Sequence, residues 1–262
     1  MVKNKPKILV IDIETSPILA HVWQLFDNNV ALNQIHTDWH ILSVAYKWLG
    51  DPESKVFYID QSNSRDIEND KKILKRVWKL LDDCDVVLTQ NGKRFDIKKL
   101  NARFILNGMN PPSPFRHIDT LVIAKKHFGF TSNKLEYMTK SLCNKNKKSS
   151  HKKFSGFELW RECLAKNKEA WEEMKHYNIM DILSLEELYV NHLRKWDNTF
   201  DANVYHNETS FNCVCGSSSF ISKGYNYSST GKFKRHKCKS CGKHYQSKTN
   251  LLSKEKKQSL LK

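Results

Sequence analysis

Residues 7–15 read KILVIDIET. The apolar run through residue 13 predicts a buried β-strand, being far shorter than a buried helix of ordinary length. The same stretch carries Asp12 and Glu14, two apart. Side chains alternate faces along a strand, so both carboxylates point the same way. They fall at the strand's C-terminal end, where open α/β sheets place their sites. Two like charges held together against apolar surroundings are costly unless a cation neutralises them. Hard divalent ions such as Mg²⁺ and Mn²⁺ prefer carboxylate oxygens. A strand simply emerging into solvent also accounts for D-x-E, which by itself is a weak signal, so acids elsewhere in the chain must decide.

Outward from this strand, 40–50 (HILSVAYKWLG) and 55–60 (KVFYID) predict a second and a third strand, and 18–39 between them reads as irregular. Residues 66–83 have apolar positions at 73, 74, 77, 80 and 81, a helical face whose acidic start suits the helix dipole. A short strand at 85–91 follows, then a helix at 95–108 ending at a glycine. PPSP at 111–114 forces a turn. Residues 117–128 read as a strand running into a helix, with Asp119 or Thr120 as the cap rather than a metal ligand. His117 and His127 read as structural. A weaker helix is expected at 133–142, a basic loop at 145–156, and helix again from 157 to 196. Strands that precede and alternate with helices predict an α/β domain with a mixed sheet.

Two further acids stand out. Asp96 opens a helix directly after a strand, a place the dipole alone would favour. Asp181 lies between Met180 and Ile182 in an apolar helical stretch, with Tyr177 one turn earlier on the same face. Together, DIET at 12–15, NGKRFD at 91–96 and YNIMD at 177–181 resemble, in order and placement, the three motifs of the DEDD 3′–5′ exonucleases. The likeness covers about residues 7–196, and is closer still to phage-type and bacterial exonuclease-like proteins. It implies a ribonuclease-H-like mixed sheet flanked by helices. It also implies two Mg²⁺ or Mn²⁺ ions about 4 Å apart on Asp12, Glu14, Asp96 and Asp181. One ion would activate the attacking water and the other stabilise the leaving 3′ oxygen, releasing a nucleoside monophosphate. Thr15, Asn91 and Phe95 would meet the nucleic acid.

The family divides by the residue that orients the water, a Tyr four before the last Asp or a His five before. This sequence offers Tyr177 and His176. At about 100° per residue, Tyr177 lies about 40° from Asp181 around the helix and His176 about 140° away, which favours Tyr177.

The chain has 262 residues, enough for one sizeable domain and a small one. Its net charge of +16 points to a polyanionic partner such as nucleic acid. Cys84, Cys143 and Cys163 read as buried thiols. Cys213, Cys215, Cys238 and Cys241 form two knuckle-like turns, CVCG and CKSCG, that suit one structural Zn²⁺ in a zinc-ribbon-like module. The first pair is C-x-C rather than C-x-x-C, so His236 or His244 remains open as a replacement ligand. Between the knuckles, Tyr225, Tyr227, Phe233, Lys232, Lys234 and Arg235 interleave aromatics with cations, a pattern that suits single-stranded nucleic acid.

The expected organisation is an exonuclease domain at 1–196, a linker at 197–210, the ribbon at 211–247 and a basic tail at 248–262. No apolar run is long enough to span a bilayer and no signal peptide is legible, so a cytoplasmic protein without a membrane partner is expected. A replication or repair protein is a further candidate partner. Two other readings stay open: a ribonuclease-H-like endonuclease or resolvase, and a non-catalytic nucleic-acid-binding protein. The lone strand Asp usual in such endonucleases, against D-x-E here, argues against the first. The full set of four carboxylates argues against the second.

Overall fold

A computed structural model describes residues 6–146, 153–205 and 210–260. The chain divides into two compact units, Pro6–Leu193 and a second built on Arg194–Lys262.

The larger unit is α/β. Its strands are β1 (Ile8–Thr15), β2 (Leu19–Ala20), β3 (Ile35–Thr37), β4 (Ile41–Trp48), β5 (Phe57–Asp60), β6 (Val86–Thr89) and β7 (Arg116–Asp119). Its helices are α1 (Lys71–Asp83), α2 (Asp96–Leu106), α3 (Thr120–His127), α4 (Leu135–Leu142), α5 (Glu158–Leu164) and α6 (Lys168–Glu187). A five-stranded sheet runs β5-β4-β1-β6-β7. The β1–β4 and β4–β5 pairs are antiparallel; β1–β6 and β6–β7 are parallel. The KILVIDI strand is therefore central, which is why it is apolar on both faces.

On one face, Leu9, Ile11 and Ile13 bury against Ile73, Leu74, Val77 and Leu81 of α1 and Leu100 and Phe104 of α2. On the other, Leu42 packs with Leu159 and Cys163 of α5 and Ala170, Trp171 and Met174 of α6. Lys47 of β4 is 1% exposed, and Glu186 of α6 takes its ammonium at 2.6 and 2.8 Å. That buried ion pair clamps the C-terminal half of α6 to the sheet.

Two sequence expectations change. The segment 18–39 is not wholly irregular, because β2 and β3 pair within it. The first helix starts at Lys71 rather than 66. Asp70 before it is fully buried and takes Arg103 through Nε (2.8 Å) and Nη2 (2.7 Å) and the Ile41 N–H (2.9 Å). It thus ties α2 to β4 instead of serving as a loose dipole charge. The basic loop expected at 145–156 falls largely on 147–152, outside the described residues.

The smaller unit carries a three-stranded antiparallel sheet in the order β10-β9-β8, from β8 (Phe220–Ser228), β9 (Gly231–Cys238) and β10 (His244–Gln246). The helix α7 (Lys254–Gln258) is capped by the Ser253 hydroxyl. Residues 197–205, expected as linker, are ordered by local bonds. Asp197 takes the Thr199 N–H at 2.8 Å, and the Asn203 side chain takes the Asn212 N–H and donates to its carbonyl, each at 2.8 Å. The Lys243 ammonium, buried here, donates to the Asp197 carbonyl. The expected tail is also partly organised, since Leu251 N–H bonds the Lys232 carbonyl at 2.7 Å.

Candidate functional site

Strand β1 delivers Asp12 and Glu14 to one face, and α6 lies across that face and brings Asp181. One carboxylate oxygen from each of these three residues lies within 4.8 Å of the others. Asp181 is buried, while Asp12 and Glu14 are half-buried. Like charges this close, away from bulk water, are costly without a counter-charge, and an all-oxygen set suits a hard divalent cation. Asp96 and Tyr177 share with the three acids one cavity of about 630 Å³.

Asp96 stands apart from the close group. It opens α2, is almost fully buried, and its Oδ1 accepts the Ile13 N–H at 3.1 Å. Burial pushes its carboxyl up to about 7, with the charges of Asp119 and Asp181 adding to the rise and two backbone N–H bonds opposing it. In this pocket four simultaneous negative charges are unfavourable unless cations join them. Asp119 is instead occupied by backbone, taking the N–H groups of Leu121, Asn91 and Lys93 at 3.0, 2.9 and 3.1 Å. His117 is held through Nε2 by the Thr89 hydroxyl at 2.8 Å.

The turn that presents Asp96 depends on its first residues. Asn91 has φ of 65°, and the Gly92 N–H bonds the Thr89 hydroxyl at 3.2 Å. A Cβ at Gly92 would collide with the Thr89 side chain, so the close approach demands glycine. Asn91 and the half-exposed Phe95 both line the cavity. Thr15 ends β1, half-buried.

Helix α6 runs unbroken through 176 and 177. Tyr177 lines the cavity beside Asp181, and Trp160 packs edge-on to its ring with centroids 6.4 Å apart. His176 is exposed and does not line that cavity.

Residues 37–193 match the family model of the RNase_H superfamily. The chain belongs to the RNase_H superfamily. The matched span includes Asp96, Tyr177 and Asp181 and begins after Asp12 and Glu14. Among solved structures, this chain is similar to the family B DNA polymerase from the hyperthermophilic archaeon Pyrobaculum calidifontis. The two share 14% identity over 72% of this chain and 25% of the polymerase, with a TM-score of 0.47. The chain thus spans about a quarter of that polymerase's length. No curated protein matches it.

In this RNase_H-superfamily chain the cavity and its acids also meet residues that the sequence did not single out. Asn178, fully buried on α6, donates from Nδ2 to Asp12 Oδ2 at 2.6 Å. Its place three before Asp181 was the available signal. Lys125 of α3 and Lys134 before α4 are the cations lining the cavity. Their approach is a tertiary event with no local pattern to betray it.

In the second unit the sulfurs of Cys213, Cys215, Cys238 and Cys241 all lie within 4.8 Å of one another. The C-x-C spacing is therefore no obstacle to a four-thiolate site, and neither His236 nor His244 enters the group. Burial pushes the Cys241 thiol up to about 12, with the neighbouring sulfurs adding to the rise. Against its own burial, Cys238 is held down to about 6 by the N–H groups of Cys241 and Ser240 and by the Cys213 and Cys215 sulfurs. Four thiolates at this spacing need a metal's charge, and tetrahedral sulfur ligation fits Zn²⁺.

On the β8–β9 hairpin, Tyr225 lies opposite Lys234 and Tyr227 opposite Lys232. The tyrosines are 46% and 66% exposed, and the Lys232 ammonium sits 4.1 Å from the Tyr225 ring centroid. Arg235 donates from Nε to the Lys223 carbonyl at 3.0 Å. Among the described residues, no helix is long and apolar enough to cross a membrane.

Proposed function

We propose that this chain is a divalent-metal-dependent 3′–5′ exonuclease that releases nucleoside monophosphates from single-stranded nucleic acid ends. The observation that carries this reading is the convergence of Asp12, Glu14 and Asp181 within 4.8 Å, with Asp96 and Tyr177 on the same cavity. DNA is favoured over RNA on the likeness of its motifs to phage-type exonucleases.

The four carboxylates would hold the cations, which when bound supply positive charge to the phosphodiester oxygens and to the attacking water. Tyr177, one turn before Asp181, donates its hydroxyl to orient that water. Phe95 gives the terminal base an apolar ring to stack against, and Lys125 and Lys134 offer cations to the strand's phosphates. The protein thus contributes chiefly position and electrostatics. On the second unit, the Tyr225 and Tyr227 rings with Lys232, Lys234 and Arg235 form the first grip on a single strand: rings take bases and cations take phosphates.

The test is digestion of end-labelled single- and double-stranded DNA and RNA with Mn²⁺. We expect stepwise loss from the 3′ end, resistance of a 3′-blocked strand, and no activity in Asp12→Ala. Equal cutting of the blocked strand would favour an endonuclease, and binding without cleavage a non-catalytic protein.

A further inference from the structure

We propose that Asn178 is a positioning residue for the metal-binding carboxylates, fixing Asp12 among its acidic neighbours through a buried amide bridge. The inference rests on the metal-dependent reading above and names how that site is held in shape.

Asn178 is 0% exposed. A buried amide must find partners on both its donor and acceptor sides, and both are present. Nδ2 donates to Asp12 Oδ2 at 2.6 Å. Oδ1 accepts from the Ser43 hydroxyl at 3.2 Å. Ser43 is itself fully buried on β4, in register opposite Glu14. The chain of bonds therefore runs from the strand partner of one acid, through α6, to the carboxylate of the other. Asn178 also sits three residues before Asp181, so a single rigid helix carries both the third carboxylate and the donor that sets the first.

The residue type matters. A neutral amide steadies a carboxylate without cancelling its charge, so Asp12 keeps its attraction for a cation. A lysine here would neutralise Asp12 and compete with the metal, and an aspartate would add a further negative charge to a crowded site. An apolar side chain would leave a half-buried carboxylate without this donor. A buried Asn whose task was only to fasten α6 to the sheet would not need the acid as its partner, and it would not influence cation affinity.

The experiment compares full-length wild type, Asn178→Ala and Ser43→Ala. Mn²⁺ affinity is measured by calorimetry on protein shown to be folded by circular dichroism, alongside kcat and KM on an oligonucleotide. Asn178→Ala should weaken Mn²⁺ binding about 10–100-fold and lower kcat in step, with KM within about two-fold of wild type. Ser43→Ala should move Mn²⁺ affinity in the same direction by less. A folded Asn178→Ala protein with wild-type Mn²⁺ affinity overturns the proposal. If that variant does not fold, wild-type Mn²⁺ affinity in Ser43→Ala overturns it. Wild type that binds Mn²⁺ without cutting nucleic acid overturns the exonuclease reading alone, and the Mn²⁺ shift still decides the role of Asn178. Wild type that binds no Mn²⁺ overturns both.

Discussion

Tyr177 and His176 are neighbours in sequence that a helix sends to different places. With α6 continuous through both, Tyr177 lines the acidic cavity and His176 faces solvent. Tyr177→Phe, which keeps the ring against Trp160 and loses only the hydroxyl, should lower kcat by about 10²–10⁴-fold, the usual worth of a positioned proton-handling group. His176→Ala should leave kcat near wild type. Single-turnover rates on a labelled oligonucleotide would expose the reverse assignment. His117 makes a separate prediction, about stability. Burial lowers its imidazole from the ordinary 6.5 to about 4. The unfolded chain binds a proton that the folded chain refuses, so acid favours unfolding. Whatever stability wild type holds over His117→Gln should shrink as pH falls from about 6.5 to about 4. Thermal melts of both proteins across that range are the check, and a pH-independent difference would refute it.

At the scale of elements, the site depends on how α6 crosses β1 and β4. Asn178 meets Asp12 near the middle of the helix, and Glu186 grips Lys47 toward its end. Truncating Glu186 to Ala would leave the Lys47 ammonium buried and unpaired, which costs about 3–5 kcal/mol. Lys47→Met removes the buried charge and keeps the side-chain length, so it should cost clearly less. Denaturant unfolding of the two variants tests the order, and equal losses would show that charge burial is not what clamps the helix. β1 and β6 were legible because their buried runs are almost wholly apolar and the run lengths suit strands. The start of α1 was misplaced because an acid before a helix reads the same in sequence whether it is a solvated charge or, like Asp70, the buried partner of a distant arginine. Likewise 197–205 looked like linker because its order comes from short side-chain-to-backbone bonds, which leave no apolar period.

For the molecule as a whole, the two units carry different candidate metal sites, one of carboxylates and one of thiols. The Pro6–Leu193 unit has a large apolar core, whereas in the second the buried cluster is Cys213, Val214 and Cys238 with Phe220, Cys241 and Tyr245 packed against it. A core this small would need a bound metal at the four sulfurs to stay folded. Elemental analysis should find about one zinc per chain. A strong zinc chelator should then make the residues after 194 sensitive to limited proteolysis while the larger unit stays intact. Survival of the smaller unit without zinc would show that the sulfurs are not a structural site. Much of the +16 charge lies on the ribbon side of the sequence. Affinity for single-stranded nucleic acid should therefore fall steeply with salt. Lys232→Ala with Lys234→Ala should flatten that slope by about one unit for each phosphate deprived of its lysine.

The sequence by itself determined the parts that local chemistry can encode. Those are the apolar strand ending in D-x-E, the helix spacing that puts Tyr177 with Asp181, the strand-to-helix junction that carries Asp96, and four cysteines in two tight turns. Their periods and spacings follow from backbone geometry within a few residues. Only the tertiary structure decided which distant groups meet. It drew Asp181 to Asp12 and Glu14 but left Asp96 on the cavity wall. It turned Asp119 to backbone N–H groups, brought Lys125 and Lys134 to the cavity, and joined Asn178 to Asp12 across 166 positions of chain. Such meetings are set by sheet order and helix packing, to which a side chain's neighbours in sequence give no clue.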